Sequence, residues 1–212
     1  MSLRVIGGEF RGRVLQSVRG FGTRPLLGQV RESVFNILAA DIDGAEVWDL
    51  FAGTGANGIE ALSRGARRVL FVEKQNQALS VLRANLGLLG EAVEGRWHAL
   101  RTDAWAPPTM TPEGEADEVR PDVVFFDPPY PQVAEDPVRA AYLARQLVDR
   151  LAPGGVLAFH FRDGQLDEDD FDSELQIDLR RWGSTAFAFL RASRTDPVPA
   201  LEDRDVDMSD VP

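Results

Sequence analysis

The hydrophobic positions of this chain fall into short apolar runs separated by longer amphipathic stretches. Runs typical of buried strands predict strands at residues 46–51, 67–72, 96–100, 123–126 and 156–161. Helical spacing of apolar residues predicts helices at residues 29–39, 58–64, 75–89 and 137–151. Two alternating segments, 174–180 and 184–191, flank Trp182-Gly183 and predict a final antiparallel hairpin. This succession indicates an α/β fold.

The first residues follow a different pattern from the rest. Residues 3–15 are predicted to form two short strands around Gly7-Gly8, a β-hairpin with arginines on one face. We therefore expect three parts: an N-terminal hairpin and helix at 1–44, a main domain at 45–192, and an acidic, disordered tail at 193–212. A proline- and acid-rich stretch at 107–121 predicts a surface loop.

Composition narrows the class of protein. The 212 residues are 44% hydrophobic and 27% charged, and they include no cysteine, which excludes disulfides, thiolate zinc sites and a cysteine nucleophile. No apolar run approaches the ~18 residues that cross a bilayer, and the first residues do not form a signal peptide, so we expect a cytoplasmic protein. His98 and His160 lie in strand-like runs and are assigned neither to a metal nor to catalysis.

Charge is distributed unevenly along the chain. The net charge is −11, yet residues 1–39 carry six arginines against two glutamates, and residues 193–212 carry six acids against two arginines. Phe10 and Phe21 are interleaved with the arginines, a pattern that suits single-stranded or looped nucleic acid. The candidate phosphate ligands are Arg4, Arg11, Arg13, Arg24 and Arg31.

A glycine-rich loop follows the first strand of the main domain. Gly53 to Gly58 read G-x-G-x-x-G between a strand and a helix, where the backbone can approach a ligand closely. Glu73 ends the next strand, 20 residues after Gly53, and could accept the ribose hydroxyls of an adenosine. Asp49 precedes the loop and no basic residue follows before Arg64, which disfavours a pyrophosphate and favours S-adenosylmethionine, a cation.

The four residues Asp127, Pro128, Pro129 and Tyr130 come directly after the apolar run at 123–126. In an open α/β sheet the carboxyl ends of the strands are where ligands bind. The prolines stiffen the turn, leaving rigid acceptors beside a flat ring with no nucleophile, as a planar substrate bearing an N–H requires. The alternative is an ordinary proline turn with a packed tyrosine.

With DLFAGTGANG, VEK, TDA and DPPY in this order, the chain resembles the class I S-adenosylmethionine-dependent methyltransferases. The stretches RVIGGEFRGRVL, TRP and VRESVFNIL are similar, more specifically, to the RsmD-like family of bacterial 16S ribosomal RNA guanine-N2 methyltransferases. The resemblance covers residues 3–191 and implies a Rossmann-like seven-stranded sheet in the order 3-2-1-4-5-7-6. Leu26 to Gln29 depart from the family, which has Thr and Asp shortly after the Arg-Pro.

The resemblance also implies roles for particular residues. The catalytic set would be Asp127, Pro128, Pro129 and Tyr130, and the cofactor-binding set Asp49, Phe51, Ala52, Gly53, Gly55, Glu73 and Asp103. The partner would be ribosomal RNA or a small-subunit assembly particle, with no metal and no membrane, and a monomer is favoured. Three alternatives stay open: an adenine-N6 methyltransferase of DNA or RNA, a dinucleotide oxidoreductase, and an inactive RNA-binding module of the same fold.

Overall fold

A computed structural model describes residues 3–18, 28–106 and 120–192 of the chain. Its strands are β1 (Leu3–Arg4), β2 (Val14–Leu15), β3 (Glu46–Leu50), β4 (Arg68–Val72), β5 (Trp97–Leu100), β6 (Val123–Phe126), β7 (Val156–Arg162), β8 (Leu175–Trp182) and β9 (Thr185–Ala192). Its α-helices are α1 (Gly28–Ile37), α2 (Ala39–Ile42), α3 (Ala56–Ser63), α4 (Asn76–Gly87), α5 (Tyr130–Glu135) and α6 (Pro137–Val148). Single 3₁₀ turns cover Gly90–Val93 and Glu168–Asp170.

Seven strands form one sheet in the order β5-β4-β3-β6-β7-β9-β8. Strands β3 to β7 pair in parallel, whereas β9 is antiparallel to both β7 and β8. Numbered within the sheet, this is the predicted order 3-2-1-4-5-7-6, and the α/β class is confirmed. The chain leaves β3 toward β4 on one side and returns through β6 on the other. The carboxyl ends of β3 and β6 therefore flank the crevice at which open α/β sheets bind ligands.

Both faces of the sheet are covered by hydrophobic residues, as expected of strands buried on two sides. Alternation along β4 places Val69 and Phe71 in the core on one face and Leu70 and Val72 in the core on the other. The first core also contains three residues from the N-terminal hairpin segment: Val5, Phe10 and Leu15. The N-terminal extension therefore shares its hydrophobic core with the sheet.

The N-terminal hairpin differs from its predicted form. Its strands are two residues long and pair Leu3 with Leu15, so Gly7-Gly8 lies inside a long loop instead of forming a two-residue turn. This loop is bound to α3: the fully buried Glu60 accepts hydrogen bonds from the N–H groups of Ile6 (2.7 Å) and Gly7 (2.8 Å). The loop geometry is set by this distant carboxylate, which a local turn rule does not include.

Other boundaries shift by a few residues, as helix ends commonly do. The predicted helix at 29–39 ends at Ile37 and is followed by the separate short helix α2. Helix α5 was not predicted; it begins at Tyr130, directly after the two prolines. The predicted acidic tail and nearly all of the loop at 107–121 lie outside the described residues. None of the helices described is long and apolar enough to cross a membrane.

Candidate active site

Three carboxylates predicted from the sequence come together at the carboxyl edge of the parallel strands. Asp49 belongs to β3, Glu73 directly follows β4, and Asp127 directly follows β6. Asp127 and Glu73 both lie close enough to Asp49 for their charges to raise its pKa. The parallel register explains this meeting, because β3 pairs with both β4 and β6, so neighbouring strands end at one level.

The glycine-rich loop turns sharply between β3 and α3. Phe51 has φ 61°, the left-handed region that few residues other than glycine adopt, and among the described residues it is the only non-glycine with positive φ. Gly53 also has a positive φ, and a Cβ at that position would have free space around it, with only the Phe51 carbonyl oxygen at 4.0 Å. The Ala52 N–H donates to Val72 (3.0 Å), and the Gly55 N–H donates to Ala52 (2.8 Å). The loop is thus held by the neighbouring strand, and there is open space beside Gly53.

Asp49 fixes the beginning of α3. It is 1% exposed, and its Oδ2 accepts a hydrogen bond from the Gly58 N–H at 2.8 Å. Burial raises the pKa of Asp49 from 3.8 to about 7, the Gly58 hydrogen bond opposes this, and the nearby charges of Asp127 and Glu73 add to it. Near neutral pH this carboxyl group is therefore poised between its neutral and charged forms, and a cation beside it would favour the charged form.

Glu73 holds the opposite side of the loop. Its Oε2 accepts from the Gly53 N–H at 2.9 Å and its Oε1 from the Gln75 N–H at 2.7 Å, with 8% of the residue exposed. Each carboxylate oxygen has two lone pairs, so both oxygens retain the capacity to accept a ligand hydroxyl. Glu73 is thus a fixed acceptor beside the loop.

Asp103 and an aromatic cluster complete the cofactor side. Asp103 is exposed, lies 3.3 Å from the Lys74 Nζ and accepts a hydrogen bond from the Trp105 N–H at 3.2 Å. The Trp105 ring packs edge-on against Phe51, with centroids 5.4 Å apart, and the guanidinium of Arg139 lies 4.8 Å from the centre of the indole. Trp105 was not among the predicted site residues. Its edge contact with Phe51 places it next to the loop.

The Asp-Pro-Pro-Tyr segment adopts a defined turn. The Pro129 carbonyl accepts from the Gln132 N–H at 2.9 Å and so begins α5, while the carbonyl of the buried Pro128 accepts no hydrogen bond from the described residues. Asp127 is partly exposed. Burial is the main cause that raises the pKa of the Tyr130 phenol, which keeps this group protonated. The turn thus places a carbonyl, a carboxylate and a phenol close together.

His160 belongs to this site although the sequence analysis assigned it no role. Its Nδ1 lies 2.6 Å from Asp127 Oδ1 and its Nε2 lies 2.7 Å from the Tyr130 hydroxyl. The pairing of Phe126 with Phe159 places His160 level with Asp127, one residue beyond each strand partner. The predicted sheet order already made β6 and β7 neighbours, but the register that brings His160 level with Asp127 was not predicted. Within the described residues His98 lies apart, exposed on β5.

The predicted phosphate ligands do not behave alike. Arg4, Arg11 and Arg13 are exposed; Arg4 donates to the Gly12 carbonyl and Arg13 to the Leu88 carbonyl. Arg31 differs from the expectation of an exposed phosphate ligand, because it is 3% exposed and donates a hydrogen bond to the Arg4 carbonyl. Its Nε is buried without a hydrogen bond to the described residues, so this side chain does not face solvent. Arg24 and Phe21 lie outside the described residues.

Phe10 also differs from the expectation. It was expected to offer its ring to nucleic-acid bases, but it is 7% exposed and packs in the core under the sheet. Its N–H donates to the Ser63 hydroxyl at 2.9 Å. Its apolar character serves to anchor the extension rather than to bind a base.

The N-terminal extension reaches the glycine-rich loop through Asn85. This fully buried side chain accepts from the Gln16 N–H (2.8 Å) and donates to the carbonyls of Gln16 (3.1 Å) and Thr54 (2.9 Å). One amide therefore ties the residue after β2 to the second residue of the glycine loop. The extension and the loop are mechanically connected.

The donor set fits a cationic adenosine cofactor. Three carboxylates lie around an open glycine loop, and a negative site of this kind attracts an ammonium or a sulfonium group and repels a pyrophosphate. Glu73 is a fixed acceptor suited to ribose hydroxyls, and the aromatic rings of Phe51 and Trp105 lie together at the loop. Among the described residues, no group of three or more His, Asp or Glu side chains could hold a metal ion.

Comparison with known proteins places this geometry in a family. Residues 3–191 match the family model described as "Conserved hypothetical protein 95". The chain is 34% identical over 168 residues to YlbH of Bacillus subtilis, a protein provisionally named as an rRNA methyltransferase. The match covers 78% of this chain and 86% of that one. It is 37% identical over 128 residues to Ribosomal RNA small subunit methyltransferase D of Escherichia coli, covering 60% of each chain.

A solved structure agrees with these matches. YhhF of Escherichia coli, provisionally named a methyltransferase, superposes with a TM-score of 0.71 and 28% identity, covering 92% of this chain and all of the other. The seven-stranded arrangement is thus shared along nearly the whole length of both chains.

Proposed function

The chain belongs to the RsmD-like family of class I methyltransferases, and we propose that it methylates the exocyclic N2 amine of a guanine in small-subunit ribosomal RNA. The observation that carries the proposal is the juxtaposition of Asp127, the Pro128 carbonyl and Tyr130 with the glycine loop across one crevice. In the described part of the chain no group donates to this carbonyl. Two acceptors and a ring suit a planar amine, and the acidic loop suits a cationic methyl donor.

The cofactor would be S-adenosylmethionine, held by residues of β3, β4 and the glycine loop. Glu73 would accept the ribose hydroxyls, Asp103 the adenine amine, and Asp49 would face the methionine ammonium. Phe51, Ala52, Gly53 and Gly55 would form the floor beneath the cofactor. When bound, this group supplies a methyl group on a positively charged sulfur, which leaves as a neutral thioether once the amine nitrogen attacks the methyl carbon.

The Asp127 turn would prepare the amine for attack. The lone pair of a guanine N2 is delocalised into the ring, so the nitrogen is a weak nucleophile. The Asp127 carboxylate and the Pro128 carbonyl accept its two N–H groups, which localises the lone pair and stabilises the positive charge that develops. Asp127 then takes the proton that the methylated nitrogen loses, and Pro129 keeps the turn rigid. Positioning of this kind lowers the barrier without a covalent intermediate.

Tyr130 would hold the base outside its helix. Stacking on an aromatic side chain contributes ~1–3 kcal/mol per base. Exposed arginines of the extension, namely Arg4, Arg11 and Arg13, would neutralise RNA phosphates, so residues 1–44 would act as an RNA-binding and cofactor-covering extension of the catalytic domain at 45–192. Ribosomal RNA as substrate is supported by the names of the relatives that match this chain.

Exchange of Asp127 for Asn tests whether the turn does chemistry. The amide keeps the size of the side chain but can no longer take a proton, so we expect kcat for methyl transfer to fall at least ~100-fold with cofactor affinity nearly unchanged. The measurement is single-turnover transfer together with calorimetric titration of S-adenosylmethionine. A variant that transfers methyl groups at the wild-type rate would contradict the assigned role.

A further inference from the structure

A buried imidazole lies between Asp127 and Tyr130, the first and last residues of the Asp-Pro-Pro-Tyr segment. His160 is 6% exposed, and its two ring nitrogens lie 2.6 Å from Asp127 Oδ1 and 2.7 Å from the Tyr130 hydroxyl. We propose that His160 is a positioning residue that fixes the Asp127 carboxylate and the Tyr130 ring in one geometry for the acceptor base. The inference rests on the proposed function, which it deepens.

For a neutral imidazole, the hydrogen bonds determine which nitrogen carries the proton. An ionised Asp127 is only an acceptor, so Nδ1 must donate to it, and the neutral imidazole then has Nε2 free to accept. The protonated Tyr130 phenol supplies that donor. The chain Tyr130 O–H to His160 Nε2, and His160 Nδ1–H to Asp127 Oδ1, satisfies every polar atom of the imidazole. An imidazole protonated on Nε2 would leave two acceptors facing each other at 2.6 Å.

The surroundings hold the imidazole still. The ring stacks on Phe187 of β9 with centroids 4.6 Å apart and planes within 10°, and Tyr130 meets it nearly edge-on at 71°. The Tyr130 carbonyl in turn accepts from the Gln165 side chain at 2.7 Å. His160 is therefore a fixed part of the sheet, and it transmits that rigidity to the turn.

This arrangement assigns different tasks to the two oxygens of Asp127. Oδ1 is occupied by His160, while Oδ2 has no hydrogen-bond partner in the described ranges and belongs to a side chain that is 32% exposed. Oδ2 is thus available to accept an N–H of the substrate. A carboxylate held by one oxygen presents the other in a single direction, and a 1 Å misplacement of a reacting group can cost ~100-fold in rate.

Two substitutions separate the contacts. The side-chain amide of His160→Asn can take the place of Nδ1 and donate to Asp127, but it does not reach Tyr130; His160→Leu has a similar volume and contacts neither. We expect His160→Asn to lower kcat less than tenfold and His160→Leu to lower it roughly 100-fold. The KM for S-adenosylmethionine should stay within about twofold in both, because the hydrogen-bond and ring partners found for His160 in the described residues lie outside the glycine loop.

The proton position gives a readout that does not depend on activity. The chain has two histidines, so in a His98→Asn background without a polyhistidine tag, ¹H–¹⁵N spectra of the ring nitrogens report on His160 alone. We expect Nδ1 to carry a proton. A ring protonated on Nε2 alone, or averaging between the two singly protonated forms, would overturn the proposal whether or not the Leu variant folds.

The two hypotheses fail in distinguishable ways. If the wild-type protein transfers methyl groups and His160→Asn and His160→Leu lose activity equally, or neither loses any, the positioning role is wrong while the proposed function stands. If the wild-type protein transfers to no RNA acceptor but the ring carries its proton on Nδ1, the proposed function is wrong and the hydrogen-bond chain is retained.

Discussion

At the scale of single residues, each carboxylate of the site has a structural task besides the ligand contact that we propose for it. Asp49 begins α3, Glu73 closes the loop, and Asp127 is held by His160. The first task explains why these side chains are ordered before any ligand binds.

The titration of Asp49 leads to a prediction about pH. Its folded-state pKa of about 7 lies above the ordinary value of 3.8, so the native state retains a proton that the unfolded state has lost. Stability should therefore fall as pH rises from about 3.8 to about 7 and then level off. Asp49→Asn removes this titration while its carbonyl can still accept from Gly58, so its stability relative to wild type should increase from pH 5 to pH 8.

Urea unfolding of both proteins at the two pH values, without cofactor, measures this difference. Glu94→Gln, an exchange of an exposed carboxylate, provides the control for the loss of one charge. An Asp49→Asn effect of equal size at pH 5 and pH 8 would show that the carboxyl group does not titrate as described.

At this scale, the sequence indicates a candidate site residue when the pattern that points to it lies in one contiguous stretch. Asp127 to Tyr130 are contiguous and follow a recognisable strand, so they could be predicted. His160 is 33 residues from Asp127 along the chain and becomes adjacent only through the pairing of β6 with β7. Arg31 and Phe10 were expected to be exposed on the basis of residue type, but tertiary packing, which residue type does not reveal, buries both.

At the scale of elements, the close approach of α3 to β4 depends on Gly58. A Cβ at this position would lie 2.2 Å from Phe71 Cε1, whereas one at Gly87, near the end of α4, would meet nothing within 4 Å. We expect Gly58→Ala to lower the free energy of unfolding by ~1–3 kcal/mol through overpacking. Gly87→Ala should be neutral or stabilising by up to ~1 kcal/mol, because alanine favours the helix.

Thermal and urea unfolding of the two variants tests this contrast. Equal effects at the two positions would mean that the helix can move away from the strand without loss. The glycine pattern itself could be read from the sequence. Which glycine serves packing and which leaves space for a ligand required the positions of Phe71 and of the loop.

The connection through Asn85 predicts a second effect between elements. Asn85→Ala removes the partner of the Gln16 N–H and of the Gln16 and Thr54 carbonyls. Unsatisfied buried groups cost ~1–3 kcal/mol, so we expect faster hydrogen exchange at Gln16 and weaker binding of S-adenosylmethionine. The matched control is Asn36→Ala, at an exposed position of α1. Unchanged exchange at Gln16 would contradict the link between the extension and the loop.

At the scale of the whole molecule, the sheet order was predictable but the attachment of the N-terminal extension was not. The order is the one that the resemblance to class I methyltransferases implies, and motifs at the ends of successive strands carry that resemblance. The extension is attached by the buried Glu60, by Asn85 and by a core shared with the sheet, none of which local patterns indicate. Within the described chain, residues 3–18 are consequently packed against the sheet and its helices.

The exposed arginines of the N-terminal extension predict how salt affects RNA binding. If Arg11 and Arg13 each neutralise a phosphate, exchange of both for Gln should reduce the slope of log affinity against log salt by roughly 1.4 for single-stranded RNA. Exchange of Arg180 and Arg181 for Gln, on the opposite edge strand β8, changes the net charge equally and should leave the slope nearly unchanged. Equal slope changes in the two variants would indicate a general charge effect.

The central claim is tested most directly by transfer of labelled methyl from S-adenosylmethionine, followed by nucleoside analysis of the product. The acceptors are small ribosomal subunits from cells lacking this protein, the RNA extracted from those subunits, and duplex DNA. Our account predicts N2-methylguanosine in the subunits or their RNA and no label in DNA. N6-methyladenine in any acceptor would contradict the guanine assignment. Absence of transfer to all three, with cofactor binding intact, would contradict the assignment as an enzyme.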